Sequence, residues 1–322
     1  MENNIWENSS PEDQDMDSHM IREAIKFIEE KNKNIHSILI VKDGSILTDK
    51  SFNPDKKDKP HDIYSCSKSI VSTLIGIAID EGLIDSINNK VLDFFPEVII
   101  HKEDINKKEI TIENLLTMTT GLKWNDYKDY DELWESENPI EYFFGHPLIS
   151  EPGTKFCYCS GVPHILQFIL EKVTGEDIFT YAKKKLFEPL GIKEVYWPED
   201  DNGMKAGIML SPINMAKFGY LFLKEGKWGE NQIVSSEWVK KSTMKHIETP
   251  LESNMVTNFG SGYGYQWWMN HFGGFHANGF GGQYIFVVPK LDLVVVFTGS
   301  IYGDDFYIPQ ILMERYIVKA MK

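Results

Sequence analysis

With 322 residues, 42% hydrophobic and 13% aromatic, the chain can bury a large core and form one large domain or two intimately joined ones. A net charge of −15 weighs against nucleic-acid phosphates and anionic lipid surfaces as partners. No apolar run reaches bilayer length, and Cys66, Cys157 and Cys159 make neither a disulfide framework nor the paired spacing of a zinc site. The histidines form no HExxH pattern, so neither a metal nor a cofactor is expected.

Met1–Asp17 is acidic and polar with no apolar h-region, which predicts a disordered tail and no secretory signal. Free thiols without a signal suggest a reducing, cytoplasmic location. From Ser18, Met20, Ile21, Ala24, Ile25 and Ile28 recur at helical spacing and predict an amphipathic helix to Lys31. Ser37–Val41 reads as a strand, Asp43-Gly44 as a hairpin turn, and Ser45–Phe52 as the returning strand.

After the charged loop Asn53–Asp62, the run from Ser65 to Gly82 is apolar on every face, the pattern of a helix buried on all sides and stopped by Gly82. Mainly helical signals follow. Thr111 caps Ile112–Thr119, Val162–Val173 ends at Gly175, Asp177–Leu186 ends before Pro189, and Ser211-Pro212 opens a helix to Lys224. Between them, Leu122–Asn138 reads as a long loop carrying Trp124, Tyr127, Tyr130 and Trp134 among carboxylates.

From Gly262 the character changes. Gly262–Met269, Phe275–Asn278, Gln283–Val288 and Leu291–Thr298 read as strands, and Phe306–Lys322 as a closing amphipathic helix. The expectation is an α+β architecture. Residues 18–64 and 255–322 would supply an antiparallel sheet flanked by the terminal helices, and 65–254 an inserted, mainly helical domain with the Ser65 helix at the junction.

Ser65 and Lys68 stand three apart at the start of the buried helix, which puts them on one face near the positive end of the helix dipole. A serine hydroxyl is a weak nucleophile until a base removes its proton, and Lys68 is a group that can assist. The pattern alone is weak, because Ser242-Thr243-Met244-Lys245 repeats it in a polar helix with no buried helix behind it. Tyr158, in Tyr158-Cys159-Ser160, is the candidate second basic group. The glycines of Asn278-Gly279-Phe280-Gly281-Gly282 would let a substrate approach a strand edge closely, where a backbone N–H can join that of Ser65 in an oxyanion hole.

These three pieces, in this order, resemble the serine β-lactamase and penicillin-binding-protein superfamily. The nearest likeness is to the class C-like branch with its esterases and 6-aminohexanoate-oligomer hydrolases. The resemblance runs from Ile38 to Val318. It includes Leu115-Leu116-Thr117-Met118-Thr119-Thr120-Gly121-Leu122, Pro189-Leu190-Gly191, Gly264-Tyr265-Gln266-Trp267-Trp268 and Gly281-Gly282-Gln283.

The resemblance implies a β-lactamase-like fold with the site between its two parts. It makes Ser65 the acylated nucleophile, Lys68 and Tyr158 the proton relay, and the backbone N–H groups of Ser65 and Phe280 the oxyanion hole. Ser160, Asn278 and Gly279 become substrate-binding positions. Ser160 replaces the asparagine of Tyr-x-Asn, and Ala277-Asn278-Gly279 replaces Lys-Thr-Gly. Without that lysine, a charge-assisted contact to a substrate carboxylate, about 1.5–3 kcal/mol, is lost.

The resulting expectation is a serine hydrolase acting on a small ester or amide through an acyl-enzyme. A β-lactamase or D-amino-acid-type peptidase of the same fold is the first alternative, and a non-catalytic binding or scaffold member the second. The aromatic, acidic segment Leu122–Asn138 is expected to wall the pocket and to favour neutral or cationic substrates. The three cysteines are expected to be packing residues.

Overall fold

The computed structural model describes residues 6–31, 34–201, 203–250 and 262–322. Its organising element is a seven-stranded sheet drawn from both ends of the chain. The N-terminal part supplies β1 (Glu7–Asn8), β2 (Ile35–Lys42) and β3 (Ser45–Ser51). Two small ribbons lie apart from it, β4 (His61–Asp62) with β5 (Met209–Leu210), and β6 (Lys227–Trp228) with β7 (Asn231–Gln232). The C-terminal part adds β8 (Trp268–Met269), β9 (Phe275–Gly279), β10 (Gln283–Val288) and β11 (Leu293–Gly299).

The strand order is β1-β3-β2-β11-β10-β9-β8, and every pairing is antiparallel except that of β1 with β3. Alternate side chains divide between two cores, as the two-residue strand period requires. Leu39, Val41, Ile285, Val287, Val294 and Val296 face the large core, while Ile38, Ile40, Tyr284, Phe286, Val295 and Phe297 face the smaller one. Both faces of the central strands are therefore dry, which explains why Val294-Val295-Val296-Phe297 shows no polar alternation.

Helix α1 (Ser18–Lys31) covers the smaller core with Ile21, Ala24 and Ile28. The closing segment covers it too, but not as one regular helix. A short helix at Ile308–Leu312 widens into a π turn at Met313–Ile317 and ends as a 3-10 turn at Val318–Ala320. Leu312, Met313, Ile317 and Ala320 stay buried throughout.

The large core is built around α2 (Ser67–Asp80), buried at every position from Ser67 to Ala78. Gly82, at φ 71°, and the Leu83 N–H to Ala78 carbonyl bond end it. Around it lie α3 (Ile112–Leu116), α4 (Asp126–Glu135), α5 (Pro139–Gly145), α6 (Val162–Thr174), α7 (Ile178–Ala182), α8 (Pro212–Leu223) and α9 (Ser236–Ser242). Thr111 caps α3 in a reciprocal capping box with Asn114. Gly219 lets α8 press on the sheet, where a β-carbon would stand 2.8 Å from Ile285 Cγ2.

Three local expectations are corrected. The tail from residue 6 to 17 is ordered: Trp6 is buried between Tyr220 and Trp228, and Met16 lies in the smaller core. Burial of those two large apolar side chains offsets the chain entropy that acidic composition alone would leave uncompensated. Residues 1–5, and the boundary expected at 254/255, lie outside the described residues. Leu122–Asn138 is not a loop, because Asn125 caps α4 through the Tyr127 N–H, and the Asp129 carboxylate accepts the Asn125 N–H in return. Gly262–Met269 is strand only at Trp268–Met269, since Gln266 takes φ 64° and Gly264 lies against the Ser242 carbonyl.

Candidate active site

Ser65 sits in a single 3-10 turn, Tyr64–Cys66, that feeds directly into α2. The turn is anchored on both sides. The Ile63 N–H donates to the Ile208 carbonyl, and Ser67 Oγ accepts the Ile208 N–H at 2.9 Å. Tyr64 is held at φ 48°, a left-handed conformation that costs a non-glycine residue of order 1 kcal/mol. The Asp62 carboxylate accepts the Tyr64 N–H at 2.6 Å and fixes that bend. Burial raises the Asp62 pKa, and the Tyr64 N–H works against that rise. The bend leaves Ser65 half-buried while Cys66 and the residues of α2 as far as Ala78 turn inward.

Lys68, 6% exposed, lies one turn further along. Its Nζ donates to Ser65 Oγ at 2.8 Å and to Ser160 Oγ at 3.3 Å, and stands 5.0 Å from the centre of the Tyr158 ring. Burial by itself works against the charge on this ammonium. Tyr158, Asp126 and Tyr130 outweigh burial and raise its pKa above the ordinary lysine value. Lys68 is thus a cation in the resting site.

Tyr158 and Ser160 arrive on the segment before α6. Tyr158 stacks on Trp268 at 5.9 Å, which holds its ring beside Lys68. Gly161, which follows, faces the Trp124 indole, where a β-carbon would meet Cη2 at 2.9 Å. From the sheet side, β9 reaches the Ser65 turn through Gly279. A β-carbon there would stand 2.2 Å from the Ile63 carbonyl oxygen and 3.2 Å from Ser65 N. The N–H groups of Ser65 and Phe280 meet no hydrogen-bond acceptor among the described residues. The exposed Phe280 ring packs against Tyr64 at 5.8 Å and Tyr302 at 4.9 Å, forming an aromatic rim.

Ser65, Lys68, Tyr158, Ser160, Gly279 and the Phe280 backbone are therefore brought to one place. The Asn278 side chain is not. Asn278 pairs in register with Tyr284 and shares its face, as alternation along β9 dictates, so its expected contact with substrate is corrected. His276 lies on that same far face, where its ring nitrogens meet Asn270 Oδ1 at 2.6 Å and Gln310 Nε2 at 3.2 Å. The second Ser-x-x-Lys copy does not resemble the first: Ser242 Oγ donates to the Val239 carbonyl, and the exposed Lys245 pairs with Glu248.

All three cysteines are unpaired, and burial pushes each thiol pKa up, away from the reactive thiolate. Among the described residues no cluster of histidine, cysteine and carboxylate could hold a metal. No described helix is long and apolar enough to cross a membrane.

Asp126 and His164 were not singled out from the sequence, whereas Tyr130 and Trp134 belong to the segment expected to wall the pocket, and all but His164 lie on α4. Asp126 accepts the Ser160 hydroxyl and N–H as well as the Trp124 indole N–H, each at 2.7 Å. Tyr130 stacks on the buried His164, and both lie near enough to Lys68 for each to feel its charge. Trp134 meets His164 edge-on. Asp126, Tyr130 and Trp134 recur at i, i+4 and i+8, so the signal was present as a helical face.

The family model described as Beta-lactamase matches residues 26–305. The 6-aminohexanoate-dimer hydrolase of Paenarthrobacter ureafaciens is 27% identical over 293 residues, spanning 82% of this chain and 72% of that protein. A family VIII carboxylesterase superposes with a TM-score of 0.70 at 18% identity, over 93% of this chain and 96% of that one. The octameric penicillin-binding protein homologue from Pyrococcus abyssi does so with a TM-score of 0.68 at 21% identity, over 94% and 79%. With the match covering most of its length and the superpositions giving the same fold, this chain belongs to the beta-lactamase family and is a serine hydrolase of that fold.

Proposed function

We propose that the protein cleaves an ester or amide bond of a small neutral or cationic substrate through a covalent acyl-Ser65 intermediate. The observation that carries this reading is the 2.8 Å contact of the Lys68 ammonium with Ser65 Oγ at the mouth of a buried helix. Tyr158, beside that ammonium, takes the Ser65 proton as general base while Oγ attacks the carbonyl carbon. The carbonyl π pair moves onto oxygen, where the N–H groups of Ser65 and Phe280 hold it. Tyr158 then returns the proton to the departing alkoxide or amine as the C–O or C–N bond breaks. Water repeats the sequence from the same side, with Tyr158 again as base, and releases the acid and free Ser65.

Two features support neutral or cationic substrates. Ala277 stands where penicillin-recognising members of the family carry lysine, and Asp62 and Asp126 flank the Ser65 turn and Ser160. The relative that hydrolyses 6-aminohexanoate dimer and the carboxylesterase fit an amide or ester bond as target. The three unpaired thiols suit a reducing cytoplasm.

The test is labelling by a fluorophosphonate, expected for the wild type and absent in Ser65→Ala. A folded wild type that does not label would overturn the reading in favour of a scaffold. Short p-nitrophenyl esters and small amides, run beside a chromogenic cephalosporin, are expected to be the better substrates. The reverse order would make the protein a β-lactamase.

A further inference from the structure

The residue at the third position of Tyr158-Cys159-Ser160 has to orient Lys68. An asparagine does so unambiguously, because its acceptor and donor are separate atoms. A serine hydroxyl is both, with one hydrogen, so something else must decide which way it points. Asp126 is placed to decide. Its Oδ2 accepts the Ser160 hydroxyl at 2.7 Å, and its Oδ1 is anchored by the Ser160 N–H and the Trp124 indole N–H. A carboxylate can only accept, so the single Ser160 hydrogen is committed to Asp126. Ser160 Oγ can then offer Lys68 only a lone pair, at 3.3 Å. Lys68 must donate there, and it also donates to Ser65 Oγ at 2.8 Å. With its proton retained beside Asp126 and Tyr158, Lys68 has an N–H for each of these contacts, and the Ser65 hydrogen is turned away from it.

We propose that Asp126 is a positioning residue which, acting through Ser160, holds Lys68 as a protonated donor and so makes Tyr158, not Lys68, the group that takes the Ser65 proton. This rests on the hydrolase reading above. The electrostatics agree, since Asp126 is among the groups that keep the proton on Lys68 despite its burial. The other titratable groups facing Lys68 do not compete for a charge change near it. His164 on α6 is pushed down to about 3 by burial, and Cys66 and Tyr130 are pushed up. With Tyr158 as their companion, these are the groups that surround the ammonium.

The test is the rate of fluorophosphonate labelling of Ser65 against pH, in the full chain, for wild type, Asp126→Asn, Asp126→Glu and Ser160→Ala. An asparagine at 126 presents an amide N–H to Ser160 Oγ and turns the Ser160 hydrogen onto Lys68. In the wild type the rate holds beyond the pH at which an exposed lysine loses its proton. Asp126→Asn brings the alkaline fall to lower pH by about one unit. Asp126→Glu leaves it in place, and Ser160→Ala moves it the same way by less.

A merely structural role would lower the rate at every pH without moving the fall, and that result overturns the proposal. So does faster labelling of Asp126→Asn at neutral pH, which would make Lys68 the base. If Asp126→Asn does not fold, judged by circular dichroism, the Ser160→Ala profile decides by the same criterion. A wild type that fails to label at any pH overturns the hydrolase reading and this proposal together. Labelling with an unmoved alkaline fall overturns this proposal alone.

Discussion

A serine and a lysine three residues apart become chemistry here because the lysine is buried and yet charged. Burial would favour the neutral amine, but the phenol and carboxylate around Lys68 weigh more, so the resting lysine donates to Ser65 instead of accepting from it. In the mechanism proposed above the proton goes to Tyr158, whose ring packs against Trp268 beside Lys68. Tyr158→Phe keeps the ring and its stacking while removing that oxygen. It is expected to lower kcat/KM for an ester substrate by about 10²–10⁴-fold with KM little changed, as loss of a general base does. Steady-state kinetics check this, and a variant as active as wild type would return the base role to Lys68. The Ser65, Lys68 and Tyr158 positions were legible from the sequence because reactive residue types stood at element boundaries. The Asn278 side chain was misplaced because a motif does not say which face of a strand each residue takes, and that face is set by its pairing with Tyr284.

At the scale of the elements, the site depends on three approaching without obstruction: the Ser65 turn ahead of α2, the segment before α6, and the end of β9. Gly279 is where β9 touches the turn, against the Ile63 carbonyl and Ser65 N. Gly279→Ala is expected to push the strand end away from the turn, because the atom met is backbone and cannot swing aside. If Phe280 N–H is a donor to the developing oxyanion, kcat falls at least about 10²-fold. Turnover of a p-nitrophenyl ester measures this, with circular dichroism as the control for folding. Unchanged kcat in the folded variant would remove Phe280 from the oxyanion hole. Element α4 shows what a sequence hides. Its polar and acidic composition reads as a solvated loop, yet Asn125 and Asp129 cap it, and its Asp126, Tyr130 and Trp134 face meets Ser160 and His164 on the α6 side of Lys68.

At the scale of the whole molecule, the sheet draws strands from both chain ends and carries dry cores on both faces. Closing those cores buries His164 beside the site and His276 behind it, and burial lowers both to about 3. An unfolded histidine titrates near 6.5. The unfolded chain therefore gains protons first as pH falls. The stability tied to each buried neutral ring is fully present above pH 6.5 and is lost progressively between 6.5 and about 3. The loss is at most about 1.4 kcal/mol per pH unit for each histidine. Urea midpoints should drop between about pH 7.5 and about pH 5, and His276→Gln should drop less over that interval by one proton's worth. Equal slopes for the two proteins would contradict the assignment.

Local pattern determined much of this protein by itself. The run after Ser65, with apolar residues on every face, reads as a helix with no solvent face, and the strands rich in aromatic and β-branched residues read as a sheet flanked by the terminal helices. Such features are legible because hydrophobic period and burial are two statements of one physical demand. Tertiary structure alone decided that Trp6 finds Tyr220 and Trp228, that the Asn278 side chain turns away, and that Asp126 commits the one hydrogen of Ser160. Each of these joins residues distant along the chain or depends on strand register. No local signal carries the direction of a hydrogen bond or the pKa of a buried amine, because both are set by what the fold places within a few ångströms.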